Sequence, residues 1–385
     1  MYYLCVSFKE SRVVIILPSI GIGGAEQFVN RLMDQLGDEI SFLLVILKDE
    51  RKEITIAKRR GIRILRLKLS KSINPVYFIQ QMWFARREIF RFQPTAIQCF
   101  LYPSELFSLV LGKRFSVYWS IRGTGNPLER SVLKHFLIRL NLFFANYFPK
   151  KIVACSDAAK NWALSKGVDP NKILIIHNFL DKWTETTQSK SKLLKNSVEN
   201  KQKHIRVGMA ARLDPHKGHF QLIDAVANCV DRLGLPMTLT FIGTGTEKIC
   251  LPKTITSRKS FIDRDYEIEF LGPMTDVNQK ALWFSNLDIY VMASQNLEGF
   301  PNSLYEAVAI GCPYVSTSSG NVNEFLEFKY LSHSYTSDSI ADRIVFLINT
   351  PTIILNQDIQ KSQVRLKIAA NPQMVSNAYI DLWLN

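Results

Sequence analysis

No apolar run in this chain reaches the roughly 20 residues that a bilayer-crossing helix needs. The opening, MYYLCVSFKESRVVIILP, lacks the plan of a secretory signal. Lys9, Glu10 and Arg12 interrupt it, no small-residue cleavage site follows, and VVIIL reads as a first buried strand. Cysteine is sparse: Cys5, Cys99, Cys155, Cys229, Cys250 and Cys312 are scattered, with no CxxC pair. That spacing argues against a metal cluster and for reduced thiols in a cytosolic protein. His216 and His219 have no third ligand at zinc spacing and read as loop and helix-cap residues. The Walker phosphate-loop pattern, the full GxGxxG spacing and any recognised RNA- or DNA-binding motif are absent as well.

What is present is enough apolar sequence for two ordinary domains: 385 residues, of which 47% are hydrophobic and 21% charged. The net charge of +14 is unevenly placed. Lys and Arg outnumber Asp and Glu by 31 to 16 over residues 1–200, whereas the rest of the chain carries 17 against 18. The densest basic piece is RKEITIAKRRGIRILRLKLSKS, residues 51–72. A one-sided positive face implies an anionic partner, such as acidic lipid, a phosphorylated acceptor or nucleic acid; a merely solvated basic surface remains the alternative. Residues 131–151, SVLKHFLIRLNLFFANYFPKK, form an aromatic and apolar helix with interspersed bases. Such a helix either packs into a core or lies in an anionic membrane surface, and the 51–72 stretch would supply a second membrane signal.

Strand-like and helix-like pieces alternate. Strands are expected at 13–18, 40–47, 62–67, 96–101, 116–121 and 151–156, with helices at 23–36 and near 76–92. A polar stretch rich in Ser, Thr, Asn and Lys, residues 182–204, reads as a linker. The alternation then restarts, with strands at 205–211, 237–243, 268–272, 288–294 and 313–317 and a helix at 220–233. This pattern predicts an α/β fold of two parallel sheets, each covered on both faces. The closing segment, 371–385, reads as a helix with Tyr379, Leu382 and Trp383 as its docking face, packing back towards the first domain. The expected domains are therefore 1–181 and 205–370.

The most informative stretch is EGFPNSLYEAVAIGCPYV, which holds Glu298 and Glu306 eight residues apart. Gly299, Pro301 and Asn302 are loop residues, and a helix should run from Ser303 to Gly311. One carboxylate then precedes the helix and the other lies in its first turns. Between them are the free N–H groups of a helix N-terminus, a site for phosphate. A plainer reading treats Ser303 and Glu306 as a capping box that needs no ligand. Three other loops follow expected strands. PSIGIGGAE (18–26) offers glycines before a helix, and AARLDPHKGH (210–219) offers Arg212 and Lys217 to a diphosphate. IGTGTE (242–247) with FLGPMTD (270–276) leaves room for a flat base. Asp263 and Asp265 make a DxD-like pair that reads as a surface loop rather than a metal site.

Taken in order, IGIGGAEQFV, IVACSDAAKNWALSKGVDPNKILIIHNFLD, GMAARLDPHKGHFQLIDAV, FLGPMTD and LEGFPNSLYEAVAIGCPYVSTSSGNVNEF resemble the retaining glycosyltransferases that carry the E-x7-E motif. That family includes many enzymes of bacterial lipopolysaccharide, capsule and other surface glycans. The resemblance implies the GT-B fold, two Rossmann-like, doubly wound parallel-sheet domains facing a central cleft. It implies a nucleotide-sugar donor, a UDP-sugar, on the second domain. Arg212 and Lys217 would bind its diphosphate, Glu306 its ribose hydroxyls and Glu298 its sugar. Backbone N–H groups around Phe300, Asn302, Ser303 and Leu304 would contact sugar and phosphate. Gly243 and the loop to Met274 would flank the base, and Gly23 and Gly24 would close on the diphosphate from the first domain.

The same resemblance implies sugar transfer with retention, requiring neither cofactor nor metal, to a glycan or lipid-linked acceptor held by the first domain. The protein would work in the cytoplasm, on the inner face of the plasma membrane. One departure stands out: many relatives have a histidine after the strand equivalent to SVYWSI, where this chain has Arg122. A residue that stays charged is no general base, though it can contact donor or acceptor phosphate. The rival functions are a sugar-nucleotide epimerase of the same fold, needing no acceptor site, and a basic nucleic-acid-binding protein without enzymatic activity.

Overall fold

The computed structural model describes residues 11–20, 23–48, 62–67, 69, 75–123, 132–180, 204–246, 265–295 and 298–384. Most of the basic 51–72 stretch, the linker up to 203 and Asp263 lie outside these residues. The chain divides into two compact units, Met1–Phe179 with Pro372–Asn385, and Leu180–Asn371.

The first unit is a seven-stranded parallel sheet in the order β3-β2-β1-β4-β5-β6-β7. Its strands are β1 Arg12–Leu17, β2 Ser41–Ile46, β3 Arg63–Arg66, β4 Ala96–Cys99, β5 Ser116–Ile121, β6 Lys151–Ala154 and β7 Ile173–Ile175. β1 and β2 are buried at every residue after the first, as strands covered on both faces must be. Helices α1 Gly24–Leu36, α2 Pro75–Phe92, α3 Tyr102–Ser108, α4 Val132–Ala145 and α5 Asp157–Ser165 connect them. The second unit repeats the plan with β8 Ile205–Ala210, β9 Met237–Ile242, β10 Tyr266–Phe270, β11 Ile289–Met292, β12 Tyr314–Thr317 and β13 Leu331–Ser332. Their order is β10-β9-β8-β11-β12-β13, again all parallel. The helices here are α6 His219–Leu233, α7 Val277–Asn286, α8 Asn302–Ala309, α9 Val322–Phe325, α10 Ser337–Ile348 and α11 Thr352–Ala369.

Each order reverses once, between β1 and β4 in the first sheet and between β8 and β11 in the second. Loops leaving the carboxyl ends of strands on either side of such a reversal diverge to opposite faces, and the crevice between them is where open α/β sheets take ligands.

The last helix, α12 Pro372–Leu384, belongs to the first unit. Val375, Tyr379, Ile380 and Trp383 join the same core as Phe28 and Phe42, with Leu382 packed against it. The Trp383 ring meets Phe42 edge-on at 6.1 Å, and its Nε1 donates to Gln98 Oε1 at 3.2 Å. Arg122 reinforces this seam. Its guanidinium lies 4.2 Å from the Phe28 ring centroid and donates to Asn178 Oδ1 (2.5 Å) and the Tyr379 hydroxyl (2.6 Å).

A second buried tie joins sheet to helix. Glu105 of α3 accepts from the Ser120 N–H on β5 (3.2 Å) and from Asn141 Nδ2 on α4 (2.9 Å). Burial pushes its carboxyl up to about 8, although both hydrogen bonds pull the other way. Between the ordinary carboxylate range and that value the folded chain holds a proton that the unfolded chain has lost. Stability therefore falls as pH rises through this window and falls no further above it. Thermal melts of wild type and Glu105→Gln from pH 5 to 9 should diverge accordingly. Wild type should lose a few kcal/mol, on the order set by the shift, that the variant retains; parallel profiles would show that Glu105 titrates as an ordinary carboxyl.

Candidate functional site

The second sheet's reversal brings together the loops after β8 and β11. The first begins at Ala211 and turns through a short 3-10 segment, Pro215–Lys217, whose start is capped by Asp214 accepting from the His216 N–H at 3.0 Å. Gly218 ends it with φ +74, and a Cβ there would stand 2.2 Å from the Ala293 carbonyl oxygen. No other residue fits at that point, so the two loops touch backbone to backbone. The Gln295 N–H donates to His216 O at 2.8 Å, completing the clasp.

This clasp places Lys217 against Glu298. The ammonium donates to Glu298 Oε1, and Ser294 Oγ donates to the same oxygen at 2.7 Å. Burial alone would raise the Glu298 carboxyl, but the Lys217 charge and these hydrogen bonds outweigh it and hold the group below its usual range. Glu298 is therefore ionised at neutral pH. Arg212, on the same loop, makes a long contact to Asp214 Oδ2 (3.4 Å) and keeps 71% of its side chain exposed. Two cations thus stand at the strand ends, one neutralised by Glu298 and one open to solvent.

α8 starts one residue before the expected Ser303, at Asn302, and its N-cap is Pro301, which offers no side-chain acceptor. The capping box does not form. The Ser303 hydroxyl instead accepts from the Tyr290 hydroxyl on β11 at 2.8 Å, which leaves the Ser303 hydrogen for another acceptor. Glu306 is 1% exposed and accepts from Lys280 Nζ on α7. Phe300 packs edge-on with Tyr305 at 4.6 Å, and both rings meet Phe325; Leu304 is fully buried. Phe300 and Leu304 therefore present backbone, not side chain, to any ligand.

Gly243 leaves β9 at φ +142, where a Cβ would meet Ala211 O at 2.0 Å, and its N–H donates to Gly272 O at 2.7 Å. This bond joins the loop after β9 to the 271–274 loop, in which Met274 is half-buried. The carboxyl ends of β10, β9, β8 and β11 thus carry Met274, Gly243, Arg212 with Lys217, and Glu298 in that order. His219, the first residue of α6, is buried, its ring lies 5.3 Å from that of Phe241, and burial pushes its pKa down. Asp265 is exposed.

The remaining expected residues lie in the other unit. Gly23 is the N-cap of α1 and Gly24 its first residue. A Cβ at Gly23 would meet the Glu26 carboxylate at 2.4 Å, so an acidic side chain already leans on this helix start. Arg122 has two protein acceptors, described above. Sequence reasoning missed Lys280, Ser294 and Tyr290. Lys280 sits in an ordinary helical run 26 residues from its partner, and nothing local marks it.

Comparisons with known proteins place the site in context. Residues 190–366 match the family model described as Glycosyl transferases group 1, and residues 22–182 match that of Glycosyltransferase Family 4. Protein CapJ of Staphylococcus aureus is 26% identical over 227 residues, 58% of this chain and 51% of that protein, so the chain spans about half the length of this curated relative. A crystal structure of Anabaena HepE in complex with UDP and glucose superposes with a TM-score of 0.74 at 17% identity, covering 96% of this chain and 98% of that one. Sucrose-phosphate synthase from Thermosynechococcus elongatus gives 0.73 at 13% identity, covering 97% and 98%. The lipopolysaccharide outer core galactosyltransferase WaaB, without ligand, gives 0.66 at 14% identity, covering 96% and 99%. The fold is that of the GT-B glycosyltransferases.

The buried pair of Lys280 and Glu306 yields a stability test. Lys280→Met should destabilise the second unit by about 3–5 kcal/mol, because the Glu306 carboxylate stays buried without that cation. Adding Glu306→Leu should restore much of the loss, since an apolar pair of similar volume needs no charge compensation. Denaturant titrations of the four members of this cycle give the coupling; a value near zero would show that the two charges do not depend on each other.

Proposed function

The chain belongs to the group 1 glycosyltransferases, and from that premise we propose that it moves a sugar, with retention of configuration, from a UDP-sugar to a glycan or lipid-linked acceptor of a bacterial surface polysaccharide. The observation that carries this reading is the Lys217–Glu298 pair, set at the strand-order reversal beside the uncapped start of α8. A diphosphate entering there meets Lys217, the exposed Arg212 and the first N–H groups of α8. As it takes Lys217, Glu298 is freed to accept from sugar hydroxyls while Ser294 still orients it. Glu306, held by Lys280, is the ribose acceptor. During transfer the bond from the anomeric carbon to the diphosphate oxygen breaks, and the acceptor hydroxyl bonds to the same face of that carbon as its proton passes to the departing diphosphate oxygen. Charge grows on the departing diphosphate, where Lys217 and Arg212 stabilise it, and no protein nucleophile is needed. UDP and UDP-glucose in crystal structures of HepE support the choice of base, and the similarity to WaaB, a lipopolysaccharide outer core galactosyltransferase, supports a surface-glycan product.

Membrane contact is part of the proposal. Among the described residues no helix is long and apolar enough to cross a membrane. α4, however, exposes a stripe at helical spacing, Val132 (83%), Phe136 (60%) and Phe143 (63%), with the exposed Arg139 among them. Tyr147, just past the helix end and 64% exposed, continues it. An aromatic stripe with a basic residue suits the interface of an anionic bilayer.

The first experiment is donor binding across UDP-, GDP- and ADP-sugars without acceptor. A UDP-sugar should bind, and Lys217→Ala should weaken it by at least ten-fold; no binding by any member would sink the transferase reading. The double variant Phe136→Ser, Phe143→Ser should lose most of its co-sedimentation with vesicles containing phosphatidylglycerol. Unchanged partition would remove α4 from the membrane contact.

A further inference from the structure

A cavity of about 250 Å³ lies in the first unit beneath α4. α4 contributes Ile138, Leu142 and Ala145 to it, β5 contributes Trp119 and Ile121, and Trp162 of α5 adds a further wall. It is larger than the roughly 150 Å³ apolar cavity that stays dry and takes benzene. Tyr102, Arg122 and Gly123, all half-buried, bring the lining to the carboxyl edge of the sheet, at the ends of β4 and β5.

Glu105 and Arg122, among the polar residues of the lining, give this cavity a chemistry. Glu105 also lines it, and burial keeps that carboxyl protonated at neutral pH, so it contributes no charge. Arg122 is then the charged group of the lining. Its acceptors among the described residues, Asn178 and Tyr379, are neutral. A cation that has no carboxylate partner among the described residues, at the edge of an apolar hole, is complementary to an anion attached to a hydrocarbon. The outer face of α4 points the same way: one side of this helix lines the cavity while the other shows Phe136 and Phe143 to solvent.

We propose that this cavity takes the hydrocarbon chain of a phosphate-headed lipid, with the phosphate beside the Arg122 guanidinium. The proposal rests on the reading of the chain as a transferase working at a membrane, and it names the acceptor as an amphiphile whose chain enters the protein. The chain would lie against Ile138, Leu142 and Ala145, and the phosphate would stay at the sheet edge.

Calorimetric titration of the full chain with decyl phosphate below its micelle concentration tests this, with decanol and inorganic phosphate as the two half-ligands. Decyl phosphate should bind saturably and at least ten-fold more tightly than either. Ala145→Leu, which fills the space, should weaken it by at least ten-fold and leave UDP-sugar affinity unchanged. Ile138→Ala, which enlarges the space, should shift preference towards tetradecyl phosphate, and it keeps the test open if the filled variant does not fold. Decyl phosphate binding that ignores both substitutions but disappears in Phe136→Ser, Phe143→Ser would overturn the proposal and put the chain on the outer face of α4. Absence of saturable binding to wild type overturns it as well. Loss of UDP-sugar binding across the panel, with decyl phosphate still bound, would sink the transferase reading and leave the cavity assignment standing.

Discussion

Everything in the second unit's site depends on one close approach: Gly218 against the Ala293 carbonyl. Because no Cβ intervenes, the loop after β8 and the loop after β11 lie backbone to backbone. Lys217 precedes that glycine, and Ser294 follows that alanine. The Lys217–Glu298–Ser294 cluster follows directly from the contact. A side chain at Gly218 would part the loops, and the ammonium would lose the carboxylate that now neutralises it. The topology supplies the reason for the place: β8 and β11 are neighbours only because the strand order reverses there, and the helices leaving them, α6 and α8, diverge.

The first unit solves a different electrostatic problem. Arg122 and Glu105 pack into this unit, and neither pairs with an opposite charge among the described residues. Arg122 is spread over the rings of Phe28 and Phe100 and two neutral oxygens, while Glu105 avoids the cost of burial by holding its proton. Both tie secondary elements together, Arg122 the C-terminal helix α12 and Glu105 the helix α4. Both also line the same cavity. Groups that fasten a fold are here the groups that give its hollow a chemical character.

Much of this was legible in the sequence. The strands were, because parallel strands buried on both faces read as apolar runs: VVIIL, FLLVI and MTLTFI all became strands within a residue or two. β7, with three residues, was too short to stand out, and α11 was missed because its apolar residues do not line a single stripe. Glu298, Lys217 and the start of α8 were visible from motif order. What Glu306 and Ser303 touch was not. The capping box that their spacing suggests competes with Lys280 and Tyr290, and tertiary partners displaced the local one. Arg122 was noticed as a departure from a pattern, but its partners, Asn178 and Tyr379, lie 56 and 257 residues away, beyond any local rule.

The charge state of the site has a consequence for any anion that enters. Lys217 does not wait as a bare cation; Glu298 already holds it, and burial strengthens that attraction. An incoming diphosphate must therefore offer more than a single carboxylate does. Two phosphates, reaching Lys217, the exposed Arg212 and the α8 N–H groups together, meet that condition, whereas a lone phosphate at Lys217 exchanges one anion for another with little gain. The displaced carboxylate is not left stranded if a polyhydroxyl group arrives beside the diphosphate, because Glu298 can then accept from hydroxyls while keeping its bond from Ser294. The pair thus discriminates by linkage: a ligand that carries diphosphate and sugar satisfies both members, and a ligand that carries only one leaves the other charge uncompensated.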